Sequence, residues 1–440
     1  MSHLEDITTP ENGYYVLVTG ANSGLGLGIC TRMIDEFLQT RSQTESLVLI
    51  ITTRDKKKGD ATIKKLEAYL RKVCRQHERS LPGIAQLLQG RVHFRQERLD
   101  LLSLVSVQKL GKKLFETTPK LDVVICNAGI GGWTGINWPL AIWSVLTKFK
   151  TAVTFPTYKL SGKGWVAKSQ LPAKDGEPQD EPPLGEVFCA NFFGHYLLGH
   201  YLAPLLARHS KSEDTRGRMI WTSSLEAYAH TLNLDDLQGI ISEDAAYESS
   251  KRLTDVMGIT SRLPATSNAV DQYFDLPNEP GTTKPLIYVT HPGITATAIF
   301  TLPLILEYAM IAAFYIARWL GSQWHPLTLE KGAVATVWLA LAKQSTLDTM
   351  EEKEGVGKWG SATDAWGQER VERTEVAGWG WGGRLAEYKR KGRDPHAKDL
   401  TKEDKENFEV LGKRCWEEME VLRCEWEDRL RRAGVAVEMP

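Results

Sequence analysis

Of the thirteen tyrosines in this chain, Tyr247 alone has a lysine four residues on, in the run Tyr247-Glu248-Ser249-Ser250-Lys251. On a helix that spacing puts the two side chains on one face, one turn apart. A free phenol ionises near pH ~10, and a cation beside it lowers that value by roughly 1–3 units. The expected product of the pair is a proton donor usable near neutrality. In a chain with this many Tyr and Lys, about one such spacing is expected by chance, so its meaning depends on the residues around it.

A second group of residues could hold a phosphate. Thr19-Gly20-Ala21-Asn22-Ser23-Gly24-Leu25-Gly26 follows an apolar run and precedes the helical pattern from Ile29 to Leu38. A glycine-rich turn between strand and helix lets backbone N–H groups approach a pyrophosphate at a helix N-terminus. Thr19, Gly20, Asn22, Ser23, Gly24, Leu25 and Gly26 are the candidates for that role. After the next apolar run, Thr52-Thr53-Arg54 stands where an acidic residue would hold the ribose 2′-hydroxyl of NAD. An arginine there, with no carboxylate before it, suits the 2′-phosphate of NADP; the alternative is that Arg54 only opens the next helix. Further along, Asp100 can contact an adenine and Asn127-Ala128-Gly129 lets backbone come close to a cofactor. Pro292-Gly293-Ile294-Thr295 would meet the nicotinamide end. Each of these also reads as an ordinary turn; together they point to NADPH.

These residues need a scaffold that lines them along one edge. Tyr14–Val18, Val48–Thr52, Val92–Phe94, Val123–Cys126, Met219–Thr222 and Leu286–Thr290 are short apolar runs separated by helix-like segments. That alternation predicts an α/β chain with a doubly wound parallel sheet, a Rossmann fold, its candidate site residues at the strands' carboxyl ends. The expected domain covers residues 1–345, interrupted by apolar inserts at 131–185 and 296–325 that would shape a pocket mouth. Lys168 to Pro183 is polar and Pro-containing and reads as an exposed insertion. Residues 346–440 read as a C-terminal extension: 353–383 is rich in Gly and Trp, and Leu400 to Arg432 carries Phe408, Leu411, Cys415, Met419, Leu422, Trp426 and Leu430 at the spacing of an amphipathic helix. Such a helix either packs on the domain or binds a partner.

Composition narrows the function classes. With a formal net charge of −1 and no long block of like charge, no nucleic-acid partner is expected. The six cysteines have neither C-x-x-C nor Cys/His metal spacing, so no metal site is expected and the thiols read as buried ones in a reducing compartment. Met1 to Asn12 lacks a basic stretch followed by an apolar one, which argues against a secretory signal. Between Pro292 and Ala317 the only charge is Glu307. That segment could cross a bilayer, dip into one face of it, or form a buried lid.

Taken in order, TGxxxGxG at Thr19 to Gly26, NAG at Asn127 to Gly129, Asn191 in an apolar helix, Ser223-Ser224, YxxxK at Tyr247 to Lys251 and PG at Pro292-Gly293 resemble the short-chain dehydrogenase/reductase family. The resemblance implies that Asn191 organises a proton-relay water, Ser224 polarises a substrate carbonyl, Tyr247 donates the proton, and Lys251 holds the cofactor ribose and lowers the tyrosine pKa. Ser223 is the alternative to Ser224. The longer stretch between Ser224 and Tyr247, with Asn233 to Leu237, is similar to steroid- and retinoid-handling members. Segments such as Gly135-Ile136-Asn137-Trp138, Phe155 to Lys159, Ala317 to His325 and Trp359 to Thr363 resemble the fungal 3-ketosteroid reductases of ergosterol biosynthesis. That narrower resemblance implies NADPH-dependent reduction of the 3-oxo group of a C4-demethylation sterol intermediate. It also implies placement on the cytosolic face of the endoplasmic reticulum membrane, with lipid droplets as a second site, beside the C4 methyl oxidase and the C3 dehydrogenase/decarboxylase. The alternatives are a reductase of another lipophilic ketone (retinoid, fatty-acyl or secondary metabolite) and a scaffold for sterol enzymes with the same fold.

Overall fold

The computed structural model describes residues 10 and 12–438 apart from 175, 178, 208–215, 242–244, 278–281, 296–303, 386–389 and 395–396. In chain order its strands are β1 Gly13–Val18, β2 Ser46–Thr53, β3 Val92–Arg98, β4 Val123–Cys126, β5 Trp133–Ile136, β6 Lys159–Ser161, β7 Arg218–Thr222, β8 Leu286–His291, β9 Lys358–Thr363 and β10 Glu369–Thr374. All six apolar runs singled out in the sequence are strands of one sheet, in the order β10-β9-β8-β7-β4-β1-β2-β3. Pairing is parallel from β3 through β9. Because β1 pairs with both β2 and β4, the winding reverses there, and a crevice opens beyond the carboxyl ends of those strands.

The period of two along a strand divides the interior. Tyr15 and Leu17 of β1 point into one hydrophobic core, and Tyr14, Val16 and Val18 point into the other, on the opposite face. Helices cover both faces, so strands buried on two sides are apolar almost throughout. That is why the runs were readable.

The sheet continues past residue 345. β9 extends it in parallel from β8, with Thr290 opposite Trp359 and His291 opposite Gly360, and β10 closes the edge antiparallel to β9. Lys358-Trp359-Gly360-Ser361-Ala362-Thr363 has no apolar run to announce a strand. Gly360 is required there, since a Cβ would stand 2.3 Å from the His291 ring. The amphipathic helix is present as Lys402–Arg432, begun by a capping box between Thr401 and Asp404. Phe408, Cys415, Trp416, Met419, Trp426 and Leu430 enter the core shared with Leu253, Val256 and Met257 of the helix Ala246–Thr260. Packing on the domain is therefore the observed role. Five of the cysteines are buried as expected, but Cys424, on this helix, is exposed.

In the first insert β5 and β6 form an antiparallel hairpin around the helix Trp138–Thr154, which packs against the helix Leu304–Trp319 of the second. The start of the second insert, 296–303, lies outside the described residues. Lys168 to Pro183 is largely exposed, as expected, and is tied down by hydrogen bonds: Gln170 accepts from Leu104 N at 2.9 Å, and Glu181 accepts from Gln170 N and Leu171 N. Among the described residues no helix is long and apolar enough to cross a membrane.

Trp416 is fully buried and donates its indole N–H to Met257 O at 3.2 Å. Trp416→Ala is expected to cost about 3–5 kcal/mol, read as a lowered midpoint of a single denaturant transition. A loss below ~1 kcal/mol would mean that the terminal helix is an appendage and not part of the core.

Candidate active site

The glycine-rich turn begins where β1 ends. Gly20 has φ +67°, and a Cβ there would lie 2.8 Å from the Ala128 Cβ; one at Gly26 would lie 2.3 Å from Gly20 O. These two glycines bring the turn, the helix Gly24–Thr40 and the end of β4 into contact. Gly24 differs: its φ is +55° and nothing stands within 4 Å of where a Cβ would be, so the first turn of the helix faces open space. Ser23 is the N-cap residue and makes no side-chain cap bond, and Asn22 Nδ2 donates to the Ser23 hydroxyl at 3.3 Å. Leu25 lies in the same first turn. The opening, the backbone donors and the helix dipole fit a pyrophosphate.

Thr19 and Asn127 serve each other. Thr19 Oγ1 accepts from Asn127 N at 2.9 Å and Ala128 N at 3.0 Å, and Asn127 Nδ2 donates to Thr19 O at 3.0 Å. The Thr19 hydroxyl proton then has two acceptors in reach, Ile125 O at 3.2 Å and His195 Nε2 at 2.9 Å. Burial holds that imidazole near a pKa of about 3, neutral and acceptor-ready at this atom. Gly129 is needed because a Cβ would stand 2.7 Å from Asn191 Oδ1.

Arg54 lies exposed just beyond β2, with no carboxylate partner among the described residues. Asp55, not Arg54, caps the next helix by accepting from Lys58 N, which leaves the guanidinium available to a 2′-phosphate. Asp100 lies two residues past the end of β3 rather than at it, with one carboxylate oxygen accepting from Leu102 N at 3.1 Å. Pro292-Gly293 turns at φ +66°, where a Cβ on Gly293 would strike Ser361 O and Trp324 O. Ile294 N bonds Trp324 O, and Thr295 bridges Leu327.

The four polar residues assigned by the sequence meet at the end of β7. The Ser224 side chain lies beside the Tyr247 phenol, acting to lower its pKa, and its hydroxyl accepts from Glu226 N at 3.1 Å. Ser223 turns inward, 2% exposed, and donates to Asp255 Oδ1 at 2.6 Å, which leaves Ser224 as the better candidate of the two. Lys251 donates to Thr222 O at 2.8 Å, with its Nζ 5.6 Å from the Tyr247 ring centroid. Asn191 sits in a single π-helical turn, Cys189–Phe193, which re-aims its side chain. Its amide brackets the Ile130 backbone, accepting from N at 2.7 Å and donating to O at 3.0 Å. A small cavity lies among Asn191, His195, Thr222 and Thr254, and the Thr222 hydroxyl is buried there without a protein partner. It has room for about one water.

One expectation is reversed. Burial first, then the Glu226 charge, pushes the Tyr247 phenol up despite the Ser224 hydrogen bond that acts the other way. Lys251 is too far along toward Thr222 to overcome desolvation. It is the lysine that is brought toward neutrality: burial, then the like charge of Lys358, lowers it to about 8, against the pull of Asp255.

The sequence also missed a polar wall over the tyrosine. Trp133 of the hairpin lies 4.6 Å from the Tyr247 ring, centroid to centroid. Lys159 reaches across it, 3.8 Å above the indole, to pair with Glu226 at 2.6 Å. Glu248, its Oε2 buried without a partner, is raised to about 7 by burial and then by Glu226. Nothing in the spacing of these four residues marked them; only the hairpin brings them together. Among the described residues no cluster of ligating side chains could hold a metal ion.

No family model matches this chain. Among curated proteins, it is 45% identical over 438 residues to the 3-keto-steroid reductase erg27 of Aspergillus fumigatus, spanning 95% of each chain. It is 40% identical over 466 residues to the 3-keto-steroid reductase ERG27 of Gibberella zeae, spanning 97% of this chain and 96% of that one. The similarity to the 3-keto-steroid reductase erg27 of Schizosaccharomyces pombe is 32% over 367 residues, 82% of this chain and 90% of the relative.

Proposed function

The chain belongs to the 3-keto-steroid reductase family, and on that premise we propose that it reduces the 3-oxo group of a C4-demethylation sterol intermediate with NADPH, in ergosterol biosynthesis. The observation that carries the chemistry is the placement of Ser224 beside Tyr247, with Lys251 Nζ 5.6 Å from the Tyr247 ring, near a glycine turn open at Gly24.

When bound, NADPH supplies a hydride to a carbonyl carbon. The two hydroxyls converge, so one carbonyl oxygen can accept from both, and they stabilise negative charge as it develops there. Tyr247 holds its proton until that moment, because burial and Glu226 disfavour phenolate. An alkoxide is a much stronger base than a phenolate, so transfer from Tyr247 is downhill. Lys251, lowered to about 8, can release a proton near neutrality to restore the phenol. Asn191 and Thr222 line a cavity suited to a water that connects this lysine to solvent.

Two substitutions test these assignments. Tyr247→Phe keeps the ring against Trp133 and is expected to lower turnover of a 3-keto sterol by about 10²–10⁴-fold with NADPH binding nearly unchanged; turnover like the wild type would remove Tyr247 from its role. Arg54→Ala is expected to weaken NADPH binding by about 10-fold or more while leaving NADH binding as it was. Equal loss for both dinucleotides would assign Arg54 elsewhere.

Substrate access supports a place at the endoplasmic reticulum membrane, on its cytosolic face. The two insert helices expose Trp143 (67%), Leu146 (78%) and Trp319 (64%). Aromatic and aliphatic side chains of this kind insert at a lipid interface, and a sterol could enter from there without crossing water. The triple variant Trp143→Ser, Leu146→Ser, Trp319→Ser is expected to stay at the bottom of a flotation gradient with phosphatidylcholine vesicles while the wild type floats. Equal flotation of the two proteins would place the contact on another surface.

A further inference from the structure

Three consecutive residues at the end of β7 are each held from beneath by a different buried side chain. Thr222 O accepts from Lys251 Nζ, the Ser223 hydroxyl donates to Asp255 Oδ1, and Ser224 O accepts from Lys358 Nζ. Lys358 also donates to Asp255 Oδ2 at 2.7 Å. The group is almost sealed from water: Lys358 is 2% exposed, Asp255 1% and Lys251 5%. Lys251 and Asp255 come from the helix that bears Tyr247, but Lys358 is the first residue of β9, more than a hundred residues further along.

Stability alone is a weak reason for such a pair. Desolvating two charges costs as much as their attraction returns, and well-packed apolar residues often serve equally well. What the pair does here follows from its neighbours. Lys251 faces Lys358 from β9, Asp255 from its own helix, and Cys126 from β4, with His195 held neutral nearby. Lys358 in turn faces Asp255 and Arg252 from that helix and His291 from β8, itself buried and held neutral. A second ammonium is thus set close to the first, and its carbonyl partner is that of the serine whose hydroxyl meets Tyr247.

We propose that Lys358, paired with Asp255, is a positioning residue of this reductase: it fixes the Ser224 backbone so that its hydroxyl meets Tyr247, and it places a like charge beside Lys251. The proposal rests on the reductase reading for its consequence in turnover, but its electrostatic half can be measured without any substrate.

The titration of Lys251 can be followed by NMR in protein labelled with ¹³C at lysine Cε, the signal assigned with Lys251→Arg. In Lys358→Met the Lys251 midpoint is expected to rise by about one unit, and in Lys358→Arg, which keeps the charge, to stay near that of the wild type. The alkaline limb of the kcat profile for a 3-keto sterol is expected to move the same way. NADPH binding should change less than about 3-fold while kcat falls about 10-fold or more, as expected when a hydroxyl is misplaced. An unmoved Lys251 midpoint in folded Lys358→Met overturns the proposal, as does an unchanged kcat. Should Lys358→Met fail to fold, Asp255→Asn/Lys358→Met removes both charges of the pair. Because Lys358 acts on Lys251 more strongly than Asp255 does, the midpoint should rise there too, and a midpoint that falls or stays would equally overturn it. A wild-type protein that reduces no 3-keto sterol would count against the reductase reading, and the NMR comparison would still decide the electrostatic role.

Discussion

The hydrogen bond from Lys251 Nζ to Thr222 O joins the helix that carries Tyr247 to the strand end that carries Ser224. Together with the bond from Ser223 to Asp255 of the same helix, it fixes how the two elements that carry these hydroxyls stand relative to each other. The bond requires a buried ammonium, and burial brings two consequences. Desolvation lowers Lys251 to about 8, where it can exchange a proton under ordinary conditions. The same enclosure raises the Tyr247 phenol, so the donor is kept protonated until a stronger base forms beside it. A tyrosine and lysine one helical turn apart would acidify the phenol in water; inside the protein the order of the two groups' responses is reversed.

Much of the scaffold was legible because its physics is local. Strands buried on both faces are apolar along their length, and Tyr14–Val18 or Val123–Cys126 could hardly be anything else. The glycine-rich turn was legible for a different reason, since Gly20 and Gly26 stand where backbone closely approaches its neighbours and Gly24 takes a positive φ. Asn191, Ser224, Tyr247 and Lys251 were assigned through the family resemblance, from residue type and order. What stayed hidden depends on distant pairing. β9 contains Lys358, Gly360 and Ser361 and has no apolar signature; its place beside β8 comes from tertiary contacts, with Trp359 stacked under Arg373 at 3.6 Å. Glu226, Glu248, Trp133 and Lys159 come from three separate segments, and no spacing rule could have joined them.

The segment beyond residue 345 is accordingly part of the machinery of the sheet. β9 supplies Lys358 beneath Ser224, and its Ser361 donates to Gly332 O and accepts from Ala335 N. The helix Lys402–Arg432 encloses the helix Ala246–Thr260 from outside, where Trp416 meets Met257 and Gly412 leaves only enough space for Thr260. The inserts do a separate job. Their hairpin roofs Tyr247, and their helices turn apolar side chains outward near the strands' carboxyl edge, which suits a substrate that is a large hydrocarbon with one polar end.

The most direct test of this account is the consumption of NADPH by the purified protein presented with a 3-keto-4-methylsterol in detergent micelles, followed by identification of the product. Stoichiometric oxidation of NADPH and appearance of the 3-hydroxysterol are expected. A protein that binds NADPH and leaves the 3-keto sterol unchanged, while reducing another lipophilic ketone, would contradict it.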